Sequence, residues 1–145
     1  MDVVALKSEI DTNPVSMPYP AFTPANDAAI ADVINNADGT NPRTVSNTTV
    51  DTGELRGATP FAAYDGLNAA EQSWYGWLSQ NGVIPVNSDT LQQLAGVGGT
   101  SIWKASDRPT MEPRMLALMQ RNGSRAEELG FTRVTPSDVA NARNA

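Results

Sequence analysis

The sequence contains no cysteine and no histidine. Those two absences exclude disulfides, zinc sites built on thiolate or imidazole, and Cys–His or Ser–His–Asp catalysis. Lysine is nearly missing too, occurring only as Lys7 and Lys104. The formal net charge is −6 and the pI about 4.4, so the chain lacks the clustered cations that a phosphate-backbone binder needs. Nucleic acid is therefore not an expected partner. No apolar run approaches the ~20 residues that cross a bilayer, and no membrane partner is expected. The start, MDVVALKSEI, carries acids and no basic lead before an apolar core, so it does not read as a signal peptide. The protein is expected to stay in the compartment where it is made.

Aromatic residues are also sparse, at 6 %, and apolar residues reach only 40 %, below the ordinary globular level. Asn, Thr, Ser, Ala, Gly and Pro fill the deficit. A chain of 145 residues suits one domain, and this composition supports a modest core with long loops around it. Some of its apolar surface is expected to be completed by a neighbouring chain.

The richest apolar stretch is LNAAEQSWYGWLSQNG, residues 67–82, which holds Trp74, Tyr75 and Trp77. Asn68 and Glu71 stand at capping-box spacing, and Asn81-Gly82 is a left-handed stop. Ala70, Trp74, Trp77 and Leu78 recur at helical spacing, which predicts one apolar face. Because a buried Trp hides more apolar surface than any aliphatic residue, Trp74 and Trp77 are the expected centre of the core.

Further helices are predicted on either side. Residues 2–12 form one, capped by Asp2 and striped by Val3, Leu6 and Ile10, and Asn13-Pro14 ends it. Residues 13–25 form a proline-rich extended arm, with Tyr19 and Phe22 between Pro18, Pro20 and Pro24. These two aromatics either pin a loop to the core or dock on a partner. A second helix spans 27–36, burying Ala29, Ile30, Val33 and Ile34. Residues 43–47, RTVSN, read as a short strand. Asp51 caps a short helix with Leu55 inward, although Gly53 and Gly57 weaken it. Residues 83–86, VIPV, are an extended crossing or edge segment, because Pro85 removes a donor. Ser88 is the expected cap of the next helix, with Leu91 and Leu94 inward, and 96–99 (GVGG) ends it.

That GVGG superficially suggests a phosphate loop. It lacks the Gly-Lys-Ser/Thr ending and follows a helix, so a helix stop is the better reading. In 100–110, Trp103 is expected to close one end of the core. A regular helix is predicted over 110–122, with Pro113 in its first turn and Asn122-Gly123 as its stop. Ser124-Arg125-Ala126-Glu127 is a capping box. Phe131 lies in an extended stretch, and Thr135-Pro136-Ser137-Asp138 opens a last helix to about 142. The fold class expected is mainly α: a small bundle of five to seven short helices with long loops and a few short extended segments, in one domain over 1–145.

Catalytic chemistry finds no foothold. The acids are scattered, and no spacing signals the facing pair of carboxylates that glycoside hydrolysis uses. No enzymatic activity and no cofactor is expected. Six arginines (108, 114, 121, 125, 133 and 143) gather in the last third, either as a local basic face or as ordinary solvated helix surface.

Two stretches carry a resemblance. ALKSEIDTNP at 5–14 resembles the "ALKxEIxTDP" start of small proteins encoded in tailed bacteriophages. SRAEELG at 124–130, with Val134 and Asp138-Val139 after it, is similar to the "SRAEELGxxxVxxxDV" with which those proteins end. The match covers about 25 residues at the two ends, and the order between them fits: a second helix, a polar Asn41-Pro42-Arg43-Thr44 segment, then an aromatic helix. The sequence departs from the pattern at Asn13, where Asp is usual, and in its proline-rich 17–24. The resemblance implies a phage structural module of no assigned enzymatic activity. The expectation is a virion protein, made in the host cytoplasm, that acts as a tail or neck adaptor between other phage structural proteins, as a symmetric oligomer or ring. A capsid decoration protein is one alternative. A tail assembly chaperone or small regulatory protein absent from the particle is another. Interfaces of this kind use aromatic anchors, so Tyr19, Phe22, Trp103 and Phe131 are the candidate partner contacts.

Overall fold

The computed structural model describes residues 1–145. It is mostly α, with nine α-helices and one 3-10 turn (Pro24–Asn26) together covering 53 % of the chain, and four short strands. The helix number exceeds the five to seven expected. The surplus comes from short helices of one or two turns. Helix α3 (Thr52–Ala58) contains Gly53 and Gly57, yet the Asp51 carboxylate accepts from the Gly53 and Glu54 amides, and Leu55 is buried. A cap and one buried leucine offset the glycine penalty. Helix α4 (Phe61–Asp65) follows Pro60 and buries Ala63.

The chain divides into two compact units: a terminal unit of Met1–Val45 with Asn122–Ala145, and a central unit of Ser46–Arg121. Strand β1 (Arg43–Ser46) pairs with β4 (Gln120–Gly123), and β2 (Thr49–Asp51) with β3 (Val83–Pro85).

In the terminal unit, α1 (Val3–Thr12) begins where Asp2 accepts from the Val4 and Ala5 amides, and buries Leu6, Glu9 and Ile10. It ends at Asn13, whose φ of 40° is left-handed. The Asn13 side chain then closes a loop of its own, accepting from the Met17 amide and donating to the Met17 carbonyl, both at 2.7 Å. Residues 13–25 do not stand away from the unit as an arm. Met17 is buried, and Tyr19 and Phe22 pack against the core, so these aromatics pin the loop. Helix α2 (Asp27–Asn35) buries Ile30, Ala31 and Ile34; Ala29, expected inside, is exposed. The short α8 (Arg125–Glu128) and α9 (Pro136–Asn144) complete the unit, each opened by a capping box from Ser124 and Thr135. Helices α1 and α2 both pack on α9, around Leu6, Ile30, Ile34, Val134 and Val139. The Asn35 side chain holds the Val134 backbone from both sides, with bonds of 3.0 and 2.7 Å.

The central unit is built around a different tryptophan from those expected. Trp103 is fully buried, whereas Trp77 is 64 % exposed and Trp74 half-buried. In α5 (Ala69–Leu78) the inward residues are Tyr75 and Leu78. With aromatics at 74, 75 and 77, two overlapping helix faces are equally apolar by spacing, and packing selects the one with Tyr75. Its ring meets Trp103 edge-on at 6.3 Å and Tyr64 at 5.6 Å, the offset geometry that aromatic quadrupoles favour. The Trp103 indole donates to the Leu94 carbonyl at 2.7 Å, so its one polar atom is satisfied in the core.

Helix α6 (Ser88–Ala95) is capped by Asn87, one residue before the expected Ser88, and buries Leu94 while Leu91 is half-buried. Gly96 ends it with φ +73°. Any Cβ there would also fall 2.6 Å from the Glu112 carboxyl carbon. Helix α7 (Arg108–Met119) starts and stops earlier than predicted. Pro109 occupies its first turn and Pro113 lies inside it, so the Pro109 carbonyl loses its helical donor. The helix persists because Met111, Met115 and Met119, four apart, are all buried, and unbranched Met adapts to an irregular wall. After Met119 the chain becomes strand β4. Gly123 is therefore no helix stop; it is small because a Cβ would lie 2.5 Å from the Val45 side chain.

Candidate functional site

Two places concentrate functional-looking groups, one in each unit. In the terminal unit the two end motifs, 5–14 and 124–130, converge. Glu9, from the first motif, and Arg125, from the second, are both buried and form a two-point ion pair: Nε to Oε1 at 2.9 Å and Nη2 to Oε2 at 2.7 Å. Arg125 Nη1 also reaches Glu128 Oε2 at 2.6 Å. Arg43 grips the same Glu128 through Nε and Nη2, at 2.7 and 3.1 Å. The Tyr19 hydroxyl donates to Glu9 Oε1 at 3.0 Å.

Electrostatics make this cluster a fastener. Hydrogen bonding to Glu9 raises the Arg125 pKa, so its guanidinium stays charged. Burial, reinforced by the Glu9 carboxylate, raises that of the Tyr19 phenol. The Arg43 guanidinium, aided by Arg125, holds the Glu128 carboxyl below its usual range. Each group is pushed toward the protonation state it already has near neutrality, the opposite of what a general acid or base needs. The motif residues thus close the first and last segments of the chain onto each other.

Three further arginines are likewise held within their own units. Arg143 pairs with Asp27 at 2.6 Å. Arg108 and Arg114 donate to the backbone carbonyls of Trp103 and Ala58. Acids on the same unit offset Arg125 and Arg143, which weakens the basic-face reading. A polar depression of about 460 Å³ lies between Asp32, Asn36, Glu127 and Arg133, but its Asn35 is committed to the Val134 backbone. No group of three or more His, Cys, Asp or Glu side chains is arranged to hold a metal ion. No helix is long and apolar enough to cross a membrane.

The second place is on the central unit. Phe61 is 79 % exposed, Trp77 64 % and Val83 52 %. A cleft of about 220 Å³ opens beside Trp77, walled by Trp74, Leu78, Val83, Pro85 and Asp89. A shallower depression adjoins it and shares Trp74 and Asp89, with Glu71 and Ile102 on its other sides. Phe61 borders a separate hollow with Arg56, Tyr64 and Tyr75. The Asn68–Glu71 capping box fixes the start of α5, and so fixes where Trp77 projects at its end.

The four partner-contact candidates read from sequence lie elsewhere. Trp103 has no exposed surface and offers a partner nothing. Tyr19, Phe22 and Phe131 are half-buried against the terminal core. Sequence reasoning missed Phe61, Trp77 and Val83. The signal available for Trp77 was its helix, which carries more aromatics than one buried face can hold. Comparison with family models, with curated proteins and with solved structures finds no match for this chain.

Proposed function

We propose that this protein is a non-enzymatic virion component of a tailed bacteriophage, an adaptor that joins other structural proteins in the tail or neck. The observation that carries the reading is the exposed aromatic surface of the central unit, Phe61 and Trp77 above all. Large aromatics left in solvent beside a cleft are the usual anchors of protein interfaces. The resemblance of residues 5–14 and 124–130 to phage proteins supplies the setting. The charge network around Arg125 supports a structural role, because it ties the first and last segments of the chain together through a buried two-point ion pair.

The test is mass spectrometry of gradient-purified particles of the virus that encodes the chain, with copy number. A low count, from a few to about a dozen copies as one closed ring would give, is the expected result. A count matching the capsid lattice would move the protein to the capsid surface. Absence from the particle would overturn the structural role and leave an assembly chaperone or a regulator.

A further inference from the structure

We propose that the open edge of β3 and the cleft beside it receive an extended segment of another protein, one bulky apolar side chain flanked by Lys or Arg. This deepens the adaptor reading and rests on it. Strand β3 pairs with β2 alone, in the antiparallel register Thr49–Pro85, Val50–Ile84 and Asp51–Val83. The Thr52 amide donates to the Gly82 carbonyl and the Val86 amide to the Thr48 carbonyl. Antiparallel pairs alternate, so Val50–Ile84 is the hydrogen-bonded pair between them, and the Val83 N–H and C=O point away from β2. An unpaired edge of this kind is what an added strand reads.

The cleft lies along that edge, between Trp77 and Leu78 at the end of α5 and Thr90 at the start of α6. At about 220 Å³ it falls below the roughly 300–1,000 Å³ of small-molecule sites. It has room for a side chain, with Trp77 as one wall. Beyond Val83 the edge closes, because the Thr90 hydroxyl donates to the Pro85 carbonyl at 2.8 Å. The backbone pairing is therefore short, and specificity falls to the side chain in the cleft and to charge. Asp89 is the one charged side chain lining the cleft, and Glu71 joins it around the adjoining depression, with no Lys or Arg in either. The complement of that rim is basic. A second copy of this chain, at net charge −6, would bring charge of the same sign.

The probe is the blocked heptapeptide Gly-Lys-Val-Leu-Val-Lys-Gly, titrated into the full chain and followed by amide and indole N–H shifts. Shifts at Val83 and at the Trp77 indole are expected, weakening as salt rises. Trp77→Ala is expected to reduce affinity about tenfold or more, and Glu71→Gln with Asp89→Asn to flatten the salt dependence. The same peptide N-methylated along its backbone, which leaves the protein untouched, is expected to bind several-fold more weakly. Equal binding of a version with Glu in place of Lys, shifts confined to other surfaces, or no shift up to roughly 1 mM peptide would overturn the proposal. So would concentration-dependent dimerisation with shifts at Val83, which would name a second copy as the occupant. The two readings fail separately. Normal incorporation of Trp77→Ala into particles would sink this surface and leave the adaptor standing. Peptide binding by a protein absent from particles would do the reverse.

Discussion

The terminal and central units solve the same problem with different materials. The terminal unit buries aliphatic residues and then closes itself with charge: Glu9, Arg125, Glu128 and Arg43 form one connected chain of ion pairs, of which the Glu9–Arg125 pair is buried. The central unit buries an indole, a phenol and three methionines and keeps its polar bonds incidental. A buried ion pair contributes little net stability over well-packed apolar groups of the same volume, but it penalises every arrangement that separates the charges. The charge network therefore specifies which segments meet, while the aromatic core supplies bulk stabilisation. The central unit also has aromatic surface to spare, and its exposed tryptophan is the feature on which the proposed adaptor role rests.

The largest expected effect is in the central core. Trp103→Ala removes a fully buried indole and strands the Leu94 carbonyl. A loss of about 3–5 kcal/mol follows from the cavity and the unmade bond. All three tryptophans lie in the central unit, so fluorescence of Trp74 and Trp77 during urea unfolding reports it directly. A loss under about 1 kcal/mol would mean that Trp103 does not organise this core.

Next comes Arg125→Met, which leaves Glu9 buried without its cation. Breaking a buried pair from one side costs about 3–5 kcal/mol, and the damage should be read from methyl resonances of Leu6, Ile30 and Val139. The sharper experiment is the triple variant Glu9→Leu, Tyr19→Phe, Arg125→Met. It removes both charges and the hydroxyl that depends on them, and is expected to recover most of the loss. No comparable rescue exists for Trp103→Ala. If the triple variant is worse than the single, the ion pair contributes bulk stability and the contrast between the units collapses.

Acid should act on the terminal unit through the same groups. Arg43 and then Arg125 hold the Glu128 carboxyl low, and the Thr135 hydroxyl and amide do so for Asp138. A carboxylate with a depressed folded pKa stabilises fully above its unfolded pKa, and that contribution disappears as pH falls through the folded value. Both groups are partly solvated, so the effect is modest. Terminal-unit methyl signals are expected to show a urea midpoint that holds from neutrality down to about pH 5 and drops as the pH falls further, and Glu128→Gln should remove part of that dependence. An unchanged slope in the Gln variant would detach the network from acid lability.

Much of this was legible in sequence because it is local. Asp2, Asp51, Asn68, Ser124 and Thr135 cap their helices as their spacing predicts, since a cap needs only its own first turn. What failed was long-range. Whether Trp74, Tyr75 or Trp77 faces inward depends on Trp103, some thirty residues away. Gly123 reads as a helix stop until Val45 is seen against it. The motif residues Glu9 and Arg125, 116 positions apart, carry no local sign that they are partners. The burial of the aromatics was hard to read for the same reason: half-buried Phe22 and exposed Phe61 have similar polar, proline-containing neighbourhoods. The caps allow a smaller prediction. Ser124→Ala should cost about 1 kcal/mol, visible as fraying of α8 amides, and should leave central-unit fluorescence untouched.

The smallest expected effect on stability is the most informative about the central unit's division of labour. Trp77 and Trp103 belong to the same unit and have the same side chain, yet one is 64 % exposed and the other 0 %. Trp77→Ser removes mostly solvated surface, so its effect on unfolding should stay within about 0.5 kcal/mol, the range for surface positions away from caps and cores. Removing a hydrophobe from water-facing surface also leaves the helix start intact, because the Asn68–Glu71 box sits at the other end of α5. Phe61→Ser should behave alike, since Ala63 and not Phe61 is the buried residue of α4. Urea unfolding of both variants, followed by the fluorescence of the tryptophans that remain, all in this unit, checks this. A loss approaching that of Trp103→Ala would show that the exposed aromatics hold the fold together and are not surplus available to a partner.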